Sequence, residues 1–541
     1  MRKLSLIATI LLGLIALISA IHFSFSKPLN LSSNAQAQIS FENWPQLQHD
    51  SAHTGRTAAF VDPNYEAAWV WLDKNHVVKN FVSAPGASIT DNLPGFKYGN
   101  LIARQVQPIV ANGKVFFGDM NGTVFAVNAA TGDNLWDHPT GGPILHTLAY
   151  DSGTVVVPSM DGKVYALDEN TGAEKWTYQT GAPLKAAPVI NNGTVYIGSQ
   201  DGYFYALDIS NGNLKWKYAT RVEPADANSP FNLAPVIAPA AVSEDGSTVF
   251  FGAENTYFYA LNTSDGSEKW APKKLVGQSF KYSWPVVKGN LVIIRPMSSL
   301  HEDGSVMEGV LDSMSADPSW TEEKATMSAY LQANPQQKSI YLFNIDTGQE
   351  PYQVAMGRLA SFNEAPVPPV IDNQNRVLMF WRSKVATFLF NGSCWGTKYC
   401  PDMSAMDLTT GDRMKLNNTN TSRFNVEVDN VFSTTVGGDY LYLNNSWRGV
   451  SSIRFSDGNL TRIEIFAAAF DCAYARWFQI VLYGNDTATG CPQADPRAPM
   501  TYKQNTSPLG SGTVVANIAG NNMLFVNDAM TGAIIGIRHK P

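Results

Sequence analysis

The chain has 541 residues, of which 44% are hydrophobic and 16% charged, with a formal net charge of −7. That apolar content can bury a large core, which excludes wholesale disorder. No G-X-Y period and no second long apolar run exist, which excludes collagen and a multi-span membrane protein. No Lys/Arg run occurs beyond the first residues, so nucleic acid is not an expected partner.

In chain order, the first element is a targeting segment. Arg2 and Lys3 precede an uncharged apolar run from Leu4 to Ile21. A positive n-region followed by such an h-region reads as a signal peptide or a signal anchor. The run matches the shortest bilayer-spanning helices in length, so cleavage and anchoring both stay open. Ala35-Gln36-Ala37 and Ser19-Ala20 offer small-residue ends for it. Either way, the positive N-terminus holds that end inside and sends the remainder out. Residues 1–37 are thus expected to be a signal peptide or anchor. Residues 38–541 are expected to be a single exported domain, periplasmic or extracellular, free or tethered by residues 4–21.

Then come His49, Asp50 and His53, an H-D-x-x-H pattern. It could supply metal ligands, but it lacks a third ligand nearby. A turn packed under the first sheet accounts for it better, and no metal is expected.

The strongest signal follows. Four segments align without gaps, from Ala126 to Trp136, Ala166 to Trp176, Ala206 to Trp216 and Ala260 to Trp270. Each has Ala, then Asn or Asp two residues on, Gly four residues later and Trp four later still. Upstream of each lie alternating apolar residues, in the first three with Asn-Gly or Asp-Gly between them, which reads as a strand pair and its hairpin turn. Asp161-Gly162 and Asp201-Gly202 read as such turns rather than ion ligands. At Asp208 and Gly212 the chain reverses again. The carboxylate can bond amides inside the turn, and the glycine can take positive φ.

Four strands per roughly 40 residues point to a β-propeller, in which sheets stack radially to bury both faces. Trp136, Trp176, Trp216 and Trp270 are expected to dock one blade on the next. Weaker turns recur at Asp346-Thr347-Gly348 (followed by Tyr352), at Thr410-Gly411 (followed by Lys415), at Asp457-Gly458 and at Thr531-Gly532. Eight turns give an all-β, eight-bladed propeller of four-stranded antiparallel blades, with seven as the fallback should one weak copy not count.

Insertions interrupt the later repeats. Asp317, Pro318, Glu322 and Glu323 form a helix start signal, and Asn334-Pro335 an end, which predicts a short helix near 318–333. The four cysteines are Cys394, Cys400, Cys472 and Cys491. In an exported chain they are expected to form two disulfides, with local pairing favoured and three pairings open. Segments 296–338, 391–403 and 466–508, the last two bearing Trp395 and Trp477, form a candidate recognition face.

The A-x-D-x-x-T-G-x-x-x-W pattern resembles the pyrroloquinoline-quinone (PQQ)-type propeller repeat, specifically over residues 108–270 and loosely over 282–537. Residues 44–56 also resemble the opening segment of PQQ-like propeller proteins. The resemblance implies that an N-terminal strand, here residues 67–72, completes the last blade. It implies two kinds of function. Some family members are quinoprotein dehydrogenases. Others are scaffolds without catalysis, such as the propeller subunit of the outer-membrane β-barrel assembly machinery. This chain has no adjacent Cys-Cys pair and no C-x-x-C-H haem motif. The expectation is an exported binding or scaffold protein that takes a protein or small-molecule ligand on its loop face, with no cofactor. The alternative is a PQQ- and Ca²⁺-dependent dehydrogenase oxidising an alcohol or sugar. No catalytic or cofactor-binding residue is assignable from the sequence.

Overall fold

Each strong repeat folds into a four-stranded antiparallel meander. In blade 1 the strands are Ile109–Ala111, Lys114–Gly118, Thr123–Asn128 and Asn134–Pro139. Blades 2, 3 and 4 repeat this plan over residues 149–179, 189–219 and 241–274. The first hairpin of blades 1 to 3 turns through Asn112-Gly113, Ser152-Gly153 and Asn192-Gly193, with both residues at positive φ. That geometry matches the strand twist. Thr194–Gly198 is buried along its whole length because a neighbouring blade covers each face. The cores therefore lie between blades. Val156, Val164 and Trp176 of blade 2, for example, pack with Val195, Ile197 and Tyr205 of blade 3.

The computed structural model describes residues 43–81, 102–103, 105–221, 233–281, 283–297, 319–352, 354, 368–384, 399–414, 424–425, 434–445, 449–457, 460–463, 513–518, 520–528 and 533–540. Together they form an eight-bladed β-propeller. Blade 5 keeps three described strands, Val286–Lys288, Leu291–Ile294 and Tyr341–Asn344. Where a fourth would begin stands Pro351, which has no amide to give a ladder. Blade 6 is built on Val370–Ile371, Val377–Lys384, Tyr399–Met406 and Arg413–Met414. Blade 7 runs through Thr434–Gly437, Tyr440–Asn445, Gly449–Arg454 and Leu460–Ile463.

Blade 8 joins the two ends of the chain. Thr513–Ile518, Asn521–Asp528 and Ala533–His539 come from the C-terminus. Tyr65–Asp73 pairs antiparallel with Ala533–His539, and His76–Phe81 adds a fifth strand outside it. The N-terminal strand thus closes the ring.

A meander has two ends. The turns joining strands one to two and three to four lie at one, here the turn end. The connections joining strands two to three, and blade to blade, lie at the other, the insertion end. The strands flanking 295–340, 385–398 and 464–512 place both stems of each insertion at the insertion end. The inserted helix, Trp320–Ala333, starts two residues later than its predicted Pro. Ser319 caps it, accepting from the Glu322 amide at 3.2 Å. Ser319-x-x-Glu322 is the capping-box spacing, while Asp317 and Pro318 lie outside the described residues. Asn334 ends the helix, its amide bonding to the Tyr330 carbonyl. Lys324 pairs with Asp412 in the blade 6 turn. The helix thus folds back toward the turn end instead of standing on the insertion face.

Candidate functional site

Two constructions organise the ring, one at its blade interfaces and one at its centre. The interfaces follow a strict rule. Trp136 donates its indole N–H to the Glu169 carbonyl of the next blade at 2.9 Å. Trp176, Trp216 and Trp270 do the same to Ile209, Thr263 and Ile345, at 2.7, 2.9 and 3.0 Å. Each indole lies on the turn glycine of that next blade. A Cβ built on Gly172, Gly212 or Gly266 would meet the ring at 2.6 Å, and one on Gly348 at 2.8 Å. The glycine therefore does two things: it takes positive φ, and it leaves room for the neighbouring indole. Two further residues obey the rule without belonging to the aligned tetrad. Trp69 of blade 8 donates to Ala129 at 2.9 Å and lies on Gly132. Tyr352 of blade 5 donates through its hydroxyl to Leu408 and lies on Gly411.

The centre is occupied by the chain's own N-terminal segment. Innermost strands in a propeller leave one edge facing the axis, and residues 44–60 travel along those edges blade by blade. Trp44 exchanges backbone hydrogen bonds with Val110 of blade 1, at 2.7 and 2.9 Å. Pro45 O accepts from Tyr150 of blade 2 at 2.7 Å. The Gln46 side chain imitates a peptide, accepting from Ile190 N at 2.9 Å and donating to Ile190 O at 3.3 Å in blade 3. Ser51, Ala52, Thr54 and Gly55 carbonyls then accept from Val242, Val287, Ile371 and Val436 of blades 4 to 7, at 2.7 to 2.9 Å. Asn522 of blade 8 donates to Phe60 O at 2.7 Å. Edge amides of blades 1 to 7 that would otherwise need water are satisfied by this hub, while blade 8 meets it through the Asn522 side chain.

The H-D-x-x-H turn is the tightest part of the hub and not a turn under blade 1. Gln48, His49 and His53 all sit at positive φ (53°, 76° and 57°). Asp50 makes this tolerable, accepting from the Ala52 and Thr54 amides at 3.1 and 3.0 Å and from the Thr54 hydroxyl. Burial alone would raise its carboxyl pKa. The His49 imidazole and the Thr54 hydroxyl and amide overcome that and hold it below the ordinary value. His53 is buried with Nδ1 at 3.1 Å from the Pro285 carbonyl and its ring edge-on to Trp284. Burial pushes its pKa down to about 4. His146, in the lead-in to blade 2, is pushed down to about 3 by burial and by the proximity of His53. The two imidazoles share the ring interior with Gln48, Gln107, Thr147 and Ser283, all buried.

Among the described residues, no three His, Cys, Asp or Glu side chains converge as metal ligands would. Asp161 and Asp201 face neighbouring loops. Their carboxylates accept from the Tyr165 and Tyr205 hydroxyls and from the Gly141 and Gly181 amides. Cys394, Cys472 and Cys491 lie outside the described residues. Cys400 belongs to Tyr399–Met406, but its side chain also lies outside them. Residues 4–21, 391–398 and 466–508 are likewise outside. No helix among the described residues is long and apolar enough to cross a membrane.

The family model of outer membrane protein assembly factor BamB matches residues 120–242. Quinohemoprotein alcohol dehydrogenase from Comamonas testosteroni superposes with a TM-score of 0.55 at 12% identity, over 92% of this chain and 80% of that one. Quinohemoprotein alcohol dehydrogenase ADHIIG from Pseudomonas putida HK5 does so with a TM-score of 0.53 at 12% identity, over the same 92% and 80%. The chain shares the β-propeller fold of these structures, and its residues 120–242 match that family model. BamB from Moraxella catarrhalis aligns at 16% identity and a TM-score of 0.44, over 81% of this propeller and 96% of that chain. No curated protein matches the sequence significantly. At such identities the solved structures speak to the fold alone.

The alternative expectation, a PQQ- and Ca²⁺-dependent dehydrogenase, can be tested on the donor atoms present. Calcium takes roughly 6–8 oxygen ligands, several of them carboxylate. The buried side chains just described, Gln48, Gln107, Thr147, Ser283, His53 and His146, offer amides, hydroxyls and imidazoles, and the Asp50 carboxylate beside them is spent on the hub turn. Among the described residues that donor set does not fit the ion.

Proposed function

We propose that this propeller is a non-catalytic binding scaffold of the cell envelope, which recognises a protein partner with its insertion end. The observation that carries this reading is the self-occupied centre: residues 44–60 satisfy the inner edge of the ring, so recognition falls to the rim. Two features support it. All three insertions have their stems at one end, and two of them, 385–398 and 464–512, are the candidate recognition segments. The strongest repeats are also those matched by a family described as an outer membrane protein assembly factor. Export through the apolar segment at residues 4–21 belongs to the same reading, as do disulfides among Cys394, Cys400, Cys472 and Cys491.

The test has two arms. The full chain, supplied with PQQ and Ca²⁺, is assayed for dye-linked oxidation of alcohols and sugars; no turnover is expected, and turnover overturns the reading. Photocrosslinkers placed at positions 395 and 477, within the inserted segments 385–398 and 464–512, and at position 214, on the outer strand of blade 3, are activated in cells. A discrete protein adduct from the first two but not the third is expected. Equal labelling at all three overturns the assignment of the face.

A further inference from the structure

The ring interior holds buried polar atoms that the fold leaves without partners. Gln48 is fully buried, and neither its Oε1 nor its Nε2 has a hydrogen-bond partner among the described residues. Gln107 is equally buried. Its Oε1 accepts from the Gln48 amide at 2.8 Å and the Trp44 indole at 3.2 Å, but its Nε2 has no partner among those residues. The same holds for the Ser283 hydroxyl.

These groups and the two histidines belong to one neighbourhood. Gln48 bonds to Gln107, Gln107 N donates to Thr147 Oγ1 at 2.9 Å, and Thr147 N donates to His146 Nδ1 at 2.9 Å. His146 lies close enough to His53 for each charge to oppose the other. His53 in turn meets the carbonyl of Pro285, two residues from Ser283.

Those bonds set the tautomers. A carbonyl only accepts, so His53 Nδ1 carries the hydrogen and its Nε2 keeps a lone pair. An amide N–H only donates, so His146 Nδ1 is bare and its Nε2 carries the hydrogen. The side chains just named are uncharged and offer both donors and acceptors. A metal ion would find one imidazole without a free lone pair. An anion would meet the Asp50 carboxylate, near enough to His53 to be felt there. Leaving several such atoms dry is costly, and a guest that both donates and accepts removes the cost.

We propose that Gln48, His53, Gln107, His146 and Ser283 enclose an uncharged hydroxyl-bearing guest, either a cluster of ordered water or a short polyol. The guest cements the hub to blades 1, 2 and 5. It is a site apart from the insertion face and does not depend on it.

The test uses the full chain. Gln48→Met keeps side-chain length and removes both unpartnered atoms; Ser283→Ala removes only the hydroxyl. If the atoms are dry, deleting them relieves a desolvation penalty and raises the melting temperature. If a guest satisfies them, each deletion lowers it, by about 1–2 °C for a chain of this size. A fall in both variants is expected, and a rise or no change overturns the proposal. Crystals grown without and with glycerol identify the guest. Density between His53 and His146 that is water in both means water. Water in the first, replaced by glycerol in the second, means a polyol site. Zinc taken up in its place after soaking, or side chains closed on one another with no density between them, would each sink it.

Discussion

Trp69 donates its indole N–H to the carbonyl of Ala129 at 2.9 Å, so a residue of the closing strand clasps the turn between the third and fourth strands of blade 1. It is one of the largest fully buried side chains. Its loss opens the seam between the last and first blades. Trp69→Ala is expected to cost about 3–5 kcal/mol, as truncation of a buried aromatic does. Trp69→Phe should cost less, about 1–2 kcal/mol, mostly for the lost hydrogen bond. Urea unfolding followed by circular dichroism checks both. Equal effects would mean the indole N–H contributes nothing.

Two glycines separate backbone strain from steric clash. Gly153 and Gly172 both have positive φ (79° and 68°). A Cβ on Gly153 meets nothing nearer than 4.0 Å, whereas one on Gly172 strikes Trp136 at 2.6 Å. Gly153→Ala should cost about 1 kcal/mol, the left-handed penalty alone. Gly172→Ala should cost clearly more and also quench or shift Trp136 fluorescence. Equal losses would remove the docking role from the glycine.

Acid should loosen the hub. His53 and His146 are held neutral by burial, with values near 4 and 3, so the unfolded chain takes up protons first, near its ordinary value of 6.5. The stability they confer is complete above about pH 6.5 and is lost as pH falls toward 4 and then 3. With both groups titrating, the slope approaches about 2.7 kcal/mol per pH unit. Asp50, held below its ordinary 3.8, adds a loss in the same direction at still lower pH. Denaturation midpoints across pH 4–7 should fall with acidification in the native chain. They should be much flatter in His53→Gln/His146→Val, since Val106 already stands at the His146 position in blade 1.

Gln46→Glu tests the side chain that stands in for a peptide. The native amide both donates to and accepts from Ile190. A carboxylate only accepts, and its charge would be buried beside the Ile190 carbonyl. A loss of about 2–4 kcal/mol is expected, shrinking at low pH as the acid is protonated. A variant with native stability at pH 7 would show that the hub does not grip blade 3 there.

The repeats were legible because each blade is local: Ala, Asp, Gly and Trp recur at spacings that one sheet imposes on its own sequence. Trp69 escaped the alignment because its blade is assembled from both chain ends, so no Asp-x-x-x-Gly turn precedes it. Tyr352 was visible as a substitute, since its turn survives, although Pro351 beside it has no amide to give a ladder. The hub carried almost no pattern. Most of its bonds are backbone bonds to strands scattered along the chain, and backbone acceptors leave no mark on residue identity. Residues 44–56 were visible only through their resemblance to the opening segment of PQQ-like propeller proteins, which does not say what they bond to. The orphaned amides of Gln48 and Gln107 could be seen only once the surrounding blades were in place.

The hub also dictates an order of events. Residues 44–60 leave the ribosome before any blade exists, yet their hydrogen-bond partners extend to Val436 and Asn522. Early amino acids must therefore wait, unsatisfied, until nearly the whole polypeptide has been made. Such long-range dependence slows maturation. It also makes the molecule intolerant of premature termination: a nascent chain stopped before its last strand would expose its opening stretch to holdases and proteases, a built-in check on completeness.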